Sequence, residues 1–180
     1  MVKKKEDQDR PMTFAYADPP YFGCGESHYG EHHPNAADWD NKETHEALVV
    51  RLIEEYPDGW ALSLNPRDLL MYLAAFERGG IEPRVAAWCK TWHQIRPTTV
   101  QFSWEPVIFY GGRKDPKRPM VRDWMACAVT RQKGLKGAKP ETFCRWVADL
   151  LCYRDGDTMD DLFPGTGVMS RVLTQGVLAL

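Results

Sequence analysis

Two prolines directly behind an aspartate, at the end of an apolar run, constrain this chain more than any other stretch. Thr13-Phe14-Ala15-Tyr16-Ala17 reads as a buried strand, and Asp18-Pro19-Pro20-Tyr21 ends it. Neither proline can donate to a sheet ladder. Proline fixes its own φ near about −65° and keeps the preceding residue out of the α region. Asp18 is therefore held extended at the carboxyl end of a strand, beside carbonyls with no N–H between them. What remains is a stiff cluster of acceptors, suited to a group with two N–H donors such as an exocyclic amine. Tyr21 offers a flat face for a planar base. Taken alone, such a tetrapeptide is more often a turn than an active site.

The rest of the chain says what kind of sheet this strand belongs to. The 180 residues allow one domain with a sizeable core. The opening MVKKKEDQDR is charged and has no apolar run, so residues 1–11 read as a flexible, solvated tail and 12–180 as the domain. Residues 22–41 form a polar loop. KETHEALVVRLIEEY places Leu48, Val49, Leu52, Ile53 and Tyr56 on one helical face, with Asn41 as the N-cap. WALSL (60–64) is a short strand. NPRDLLMYLAAFERGG is a helix with Asn65 to cap it, Pro66 in its first turn and Gly79-Gly80 to stop it. PRVAAWCK and WEPVIFYGG are two further strands, and WMACAVT (124–130) adds one more. A helix starting at Pro140 buries Phe143, Trp146, Val147, Leu150 and Leu151. TMDDLF is a strand, PGTG a tight turn, and VMSRVL opens a last helix. Strands alternating with helices predict an α/β fold with a mostly parallel sheet covered on both faces.

Ligands in such sheets bind beyond the carboxyl ends of the strands, and two special turns fall there: Asp18–Tyr21 and Phe163-Pro164-Gly165-Thr166-Gly167. Glycines let backbone adopt positive φ and approach a ligand. No lysine follows them, so this is not a Walker phosphate loop. Asp160 and Asp161 precede the turn instead. Carboxylates there repel phosphate and attract an ammonium or sulfonium, which favours a cationic, amino-acid-like ligand.

The order DPPY, then KP with a helix, then DLFPGTG, resembles the amino-directed DNA methyltransferases that use S-adenosylmethionine, in their β-class motif order. The stretches YADPPY, EYPDGWALS, WEPV and DDLFPG are similar to those of small adenine-specific DNA methylases of bacteria and bacteriophages. The resemblance covers all but about the first ten residues. It implies a Rossmann-like methyltransferase fold with one antiparallel strand, and methyl transfer to a flipped-out base, adenine N6 in DNA before all. It implies that Asp18 and the Pro19 carbonyl accept the two amine hydrogens, that Pro20 stiffens the tip and that Tyr21 stacks on the base. Asp161, Phe163, Gly165, Thr166 and Gly167 would line the cofactor, and Lys139 would meet its carboxylate. No metal and no covalent intermediate are required. Two other readings stay open: an RNA adenine methyltransferase, and a nucleic-acid-binding protein that keeps the fold with weak catalysis or none.

The pattern is also incomplete. In larger relatives a further strand after the glycine turn ends in an acid that binds the cofactor ribose. Thirteen residues follow Gly167 here, without Asp or Glu. The sheet is therefore expected to be shortened at the edge of the cofactor strand. That edge would be covered by WMACAVT folding back, by the last residues, or by a second copy in a homodimer.

Net charge is −2, but residues 90–139 carry eleven Lys or Arg against three acids, net +8. Arg113, Lys114, Lys117 and Arg118 are candidate phosphate contacts within this stretch. Cys24, His28, His32 and His33 invite a metal reading, but Gly25, Gly30 and Pro34 argue against the helix it would need. A substrate-covering loop is the better reading. Trp88 is expected in the core, with Trp92 and Trp104 open to base stacking. Five scattered cysteines without CxxC predict reduced thiols, and no apolar run is long enough for a membrane span, so the expected location is the cytoplasm.

Overall fold

The computed structural model describes residues 10–31, 34–92, 97–130 and 138–175. Six strands form one sheet: β1 (Thr13–Ala17), β2 (Gly59–Ser63), β3 (Arg84–Lys90), β4 (Trp104–Gly111), β5 (Trp124–Cys127) and β6 (Thr158–Asp161), in the order β5-β3-β4-β2-β1-β6. β1 pairs in parallel with both β2 and β6, and β3 in parallel with β5. β4 runs antiparallel to β2 and β3. One antiparallel strand in a mostly parallel sheet is what the sequence implied, although it lies inside the sheet.

Helices α1 (Gly25–Tyr29), α2 (Lys42–Glu55), α3 (Leu69–Arg78), α4 (Glu141–Leu150) and α5 (Val168–Thr174) complete the order. Because strand side chains alternate, β1 divides its residues between two cores. Phe14 and Tyr16 face α4 and α5, where Phe143, Val147 and Val172 are fully buried. Ala15 and Ala17 face α2 and α3, with Leu52, Phe76 and Trp60. Trp60 stacks on Phe76 at 4.4 Å between ring centroids. The two apolar helix faces read from the sequence are thus the two outer layers, and Trp88 is core as expected.

Several local expectations change. The polar segment 22–41 contains α1 and a 3-10 turn at Ala36–Asp40. Asn41 precedes α2 but makes no side-chain cap. Asn65 does cap, accepting from Arg67 N at 3.0 Å, over a 3-10 turn that leads into α3. The strand predicted over 124–130 is shorter, and it pairs with β3 at the end of the sheet away from β6. It therefore does not fold back over β6. Among the described residues, β6 has no neighbour on its outer edge. No helix among them is long and apolar enough to cross a membrane.

The amino-terminal ends of β1, β2 and β6 are stapled by two carboxylates. Asp58 accepts from Thr13 N at 2.9 Å and from the Arg10 guanidinium. Arg10 is thereby held to the domain, where the sequence placed it in the tail. Asp157, 7% exposed, accepts from Met12 N at 2.8 Å, Arg154 N at 3.0 Å and Arg113 at 2.6 Å.

Candidate active site

Parallel pairing of β1 with β6 places Tyr16 opposite Asp161. Leu162 N donates to Tyr16 O at 2.9 Å, extending the ladder past the strand ends. Asp18 and Phe163 are therefore neighbours across that ladder, and the two sequence motifs open onto one cavity of about 590 Å³. Asp18, Pro20 and Lys139 line one side of it. Asp161, Phe163, Gly165 and Thr166 line another. The size is that of a site for a small organic ligand. Gly167 does not line the cavity; it sits at φ +68° as the N-cap of α5, and Gly165 is at φ +44°. Both are in the left-handed region that favours glycine, so here glycine serves the turn itself. Asp160 is turned away from the cavity and accepts from Tyr56 OH at 2.9 Å.

The segment 25–40 forms a third wall, through Tyr29, Pro34, Asn35 and Trp39. Trp39 meets Phe163 edge-on at 4.9 Å. The Asp40 carboxylate accepts from Gly25 N at 2.7 Å and Glu26 N at 3.1 Å, which caps α1 from fifteen residues away. Gly25 is buried against the Ala36 carbonyl, where an added Cβ would lie 2.0 Å from the oxygen. The covering role given to this segment fits its position. His32 and His33 fall outside the described residues.

Lys139 is the centre of the site's electrostatics. Only 7% exposed, its Nζ lies 2.9 Å from Asp18 Oδ1, 3.4 Å from Glu105 Oε2 and 3.5 Å from Tyr21 OH. Its charged neighbours are carboxylates of this chain, so the expectation that it meets a cofactor carboxylate gives way to a place on Asp18. Burial pushes the Asp18 carboxyl above its ordinary value, against the pull of Lys139. Although burial opposes its charge, Lys139 is held well above the usual lysine range by Asp18, Tyr21 and Glu105. Burial likewise raises the Tyr21 phenol, which stays neutral. Glu105 and Lys90 were not found from the sequence. The available signal was an acid inside the apolar run WEPVIFYGG.

The four candidate phosphate contacts at 113–118 do not face this cavity. β4 is antiparallel, so Gly111 pairs with Gly59 at the start of β2, while Trp104 and Glu105 lie at the cavity end. Residues 113–118 follow Gly111 and lie at the opposite end of the sheet, about 17 Å away over five residues of strand. Arg113 is a buried partner of Asp157, with side-chain exposures of 2% and 1%. Arg118 donates to Tyr153 O at 2.9 Å and is half-buried. These two arginines hold the fold, a correction to their reading as phosphate contacts. Lys114 and Lys117 are exposed but share the wrong end. Neutralising both should leave the salt dependence of DNA affinity unchanged. A slope lowered by about 0.9 per lysine would instead place DNA there.

No protein-family model matches the chain, and no curated protein matches it either. Solved structures do. The structure of the M1.HpyAVI–SAM complex matches at 14% identity and a TM-score of 0.61, covering 97% of this chain and 83% of that one. The chain has a methyltransferase fold. The crystal structure of M1.HpyAVI gives a TM-score of 0.56 at 12% identity, covering 97% and 80%. TTHA0409 of Thermus thermophilus, assigned as a DNA modification methylase, gives 0.55 at 13% identity, covering 94% and 80%.

Proposed function

We propose that the protein transfers a methyl group from S-adenosylmethionine to the exocyclic amine of a base flipped out of DNA, adenine N6. The observation that carries this reading is that Asp18 and the Phe163–Thr166 stretch, on adjacent paired strands, open onto one cavity. The cavity chemistry fits the cofactor: Asp161 is an acceptor for its ammonium, Phe163 is an apolar wall, and Gly165 and Thr166 line the space beside it. When bound, S-adenosylmethionine supplies an electrophilic methyl on a sulfonium.

The chain's own residues then act on the amine. Asp18 Oδ2 has no hydrogen-bond partner among the described residues, and it accepts one amine hydrogen while the Pro19 carbonyl accepts the other. Both bonds draw the nitrogen lone pair out of conjugation with the ring and aim it into the cavity. Tyr21 stacks on the base. The wall formed by segment 25–40 limits access of water. Lys139 stays charged and keeps Asp18 ionised.

Incubating the protein with methyl-labelled S-adenosylmethionine and DNA, then digesting to nucleosides, tests the reading. N6-methyldeoxyadenosine is the expected product. N4-methyldeoxycytidine would correct the base, label in RNA alone the polymer, and no label with no cofactor binding by calorimetry would reject the enzyme. The pH profile adds a second check. Asp18 is the stronger acceptor when ionised, and burial raises its carboxyl, so kcat/KM should fall on acidification through a midpoint above the ordinary aspartate value. Flat activity to pH 4 would exclude Asp18 as the acceptor.

A homodimer paired along the outer edge of β6 belongs to the same proposal, since an open edge presents unpaired N–H and C=O groups. Light scattering over a concentration series should show a dimer. A strict monomer that binds S-adenosylmethionine tightly would remove it.

A further inference from the structure

Behind the catalytic tip lies a chain of charges that the proposed transfer does not by itself require. Lys90, Glu105, Lys139 and Asp18 alternate in sign. Glu105 Oε2 is 3.4 Å from Lys139, the other Glu105 oxygen is ion-paired with Lys90, and Lys139 is 2.9 Å from Asp18. All are sheltered: side-chain exposure is 16% for Lys90, 12% for Glu105, 7% for Lys139 and 21% for Asp18. The Tyr21 hydroxyl faces the Glu105 carboxylate and takes a contact from Lys139. One carboxylate thus holds, through a single ammonium, both the acceptor and the stacking residue.

The fold explains why Glu105 is there. Val107, Phe109 and Glu105 alternate along β4 and point to the face of Tyr16, Trp88 and Phe143. Val107 pairs with Ser63, so Glu105 lies two residues beyond, at the mouth. β4 can deliver a side chain there because it runs against its neighbours. A carboxylate at this depth costs several kcal/mol unless it is paired, and packing alone would be served by an apolar residue.

We propose that Glu105 is a positioning residue: by sharing the Lys139 ammonium it keeps Lys139 from closing over both oxygens of Asp18, so that Oδ2 stays open to the substrate amine. Lys90 balances Glu105 from its far side. This inference rests on the reading of Asp18 as the amine acceptor. Without Glu105, Lys139 has Asp18 as its remaining carboxylate partner, and the incoming amine must compete with it. Without Lys139, Asp18 loses the cation that keeps it ionised.

The other titratable groups around Asp18 are Tyr16, Tyr21, Tyr29, Tyr72, Cys144 and Asp161. The tyrosines are pushed up and Cys144 to about 12, so they stay neutral near pH 7. Asp161, also raised by burial, is the one among them that titrates in the same range as Asp18.

Two substitutions separate the two effects, and they carry opposite signs. In the full chain with 13C-labelled aspartate, the Asp18 carboxyl resonance is followed against pH, with Asp161→Asn used to assign the neighbouring signal. Glu105→Gln should lower the Asp18 midpoint, and Lys139→Met should raise it. This measurement needs no turnover, so it stands even if the methyl-transfer reading fails. With DNA as substrate, Glu105→Gln should raise KM about tenfold, the scale of one contested charge-assisted hydrogen bond, with a smaller change in kcat. It should also move the acid limb of kcat/KM to lower pH. An Asp18 midpoint that is unmoved or raised in Glu105→Gln overturns the inference, as does an unchanged KM in an active protein. Wild-type inactivity with the two opposite midpoint shifts intact would reject the methyl-transfer reading alone.

Discussion

Asp18→Ala should lower methyl transfer about a hundred- to a thousandfold while leaving S-adenosylmethionine bound within about twofold. The loss is large because the acceptor is preorganised. Asp18 is followed by two prolines, is ion-paired with Lys139 where it lines the cavity, and needs no reorganisation when the amine arrives, the condition under which one electrostatic contact is worth 10² to about 10³ in rate. Cofactor binding should survive because the Phe163–Gly167 turn is built on β6 and α5, apart from the Asp18 side chain. The fold should survive as well, since Lys139 keeps Glu105 as a partner at 3.4 Å. Single-turnover kinetics beside calorimetry separate the two quantities. Turnover near wild type would reject Asp18 as the acceptor, and lost cofactor binding would mean that the tip also shapes the cofactor side.

The largest effect on stability is expected from Asp157→Ala. Its carboxylate joins three segments through Met12 N, Arg154 N and Arg113. Removing it takes from the Arg113 guanidinium, 2% exposed, the carboxylate it is paired with, and breaking one side of a buried pair costs about 3–5 kcal/mol. A fall of that size in unfolding free energy, read from the urea midpoint at unchanged m, is the expected result. Replacing both partners, Arg113→Met with Asp157→Ala, should recover part of it, because no charge is then stranded. A single-variant loss under about 1 kcal/mol would mean that water reaches this end of the sheet.

The layers were legible in the sequence because their signals are local. Leu48, Val49 and Leu52 recur at helical spacing, and Phe14 to Ala17 form an apolar run short enough to be a strand. The two functional turns were legible because proline and glycine act on their own backbone. What escaped depends on contacts distant in sequence. α1 is five residues long and begins with glycine; its N–H groups are satisfied by Asp40, and only the approach of the Ala36 carbonyl explains why residue 25 has no side chain. Arg113 looked like its neighbours Lys114 and Lys117. Its burial is decided by Asp157, forty-four residues later. Lys139 and Glu105 were each visible as residues, but the antiparallel course of β4 brings them together, and nothing within the strand itself dictates that direction.

The pairing of β1 with β6 has a consequence for how the protein is made. Thr13 and Thr158 are 145 residues apart, and their strands are direct neighbours. During synthesis the acceptor tip leaves the ribosome long before the strand that flanks it, because the two are far apart in sequence. Until then β1 has an unsatisfied edge, and so large a separation makes closure of that half of the sheet slow. The β2 side can form first, since residues 59–63 and 104–111 follow sooner. A nascent chain stalled before β6 therefore displays a buried-type strand to its surroundings, the kind of edge that chaperones cover and that aggregates recruit.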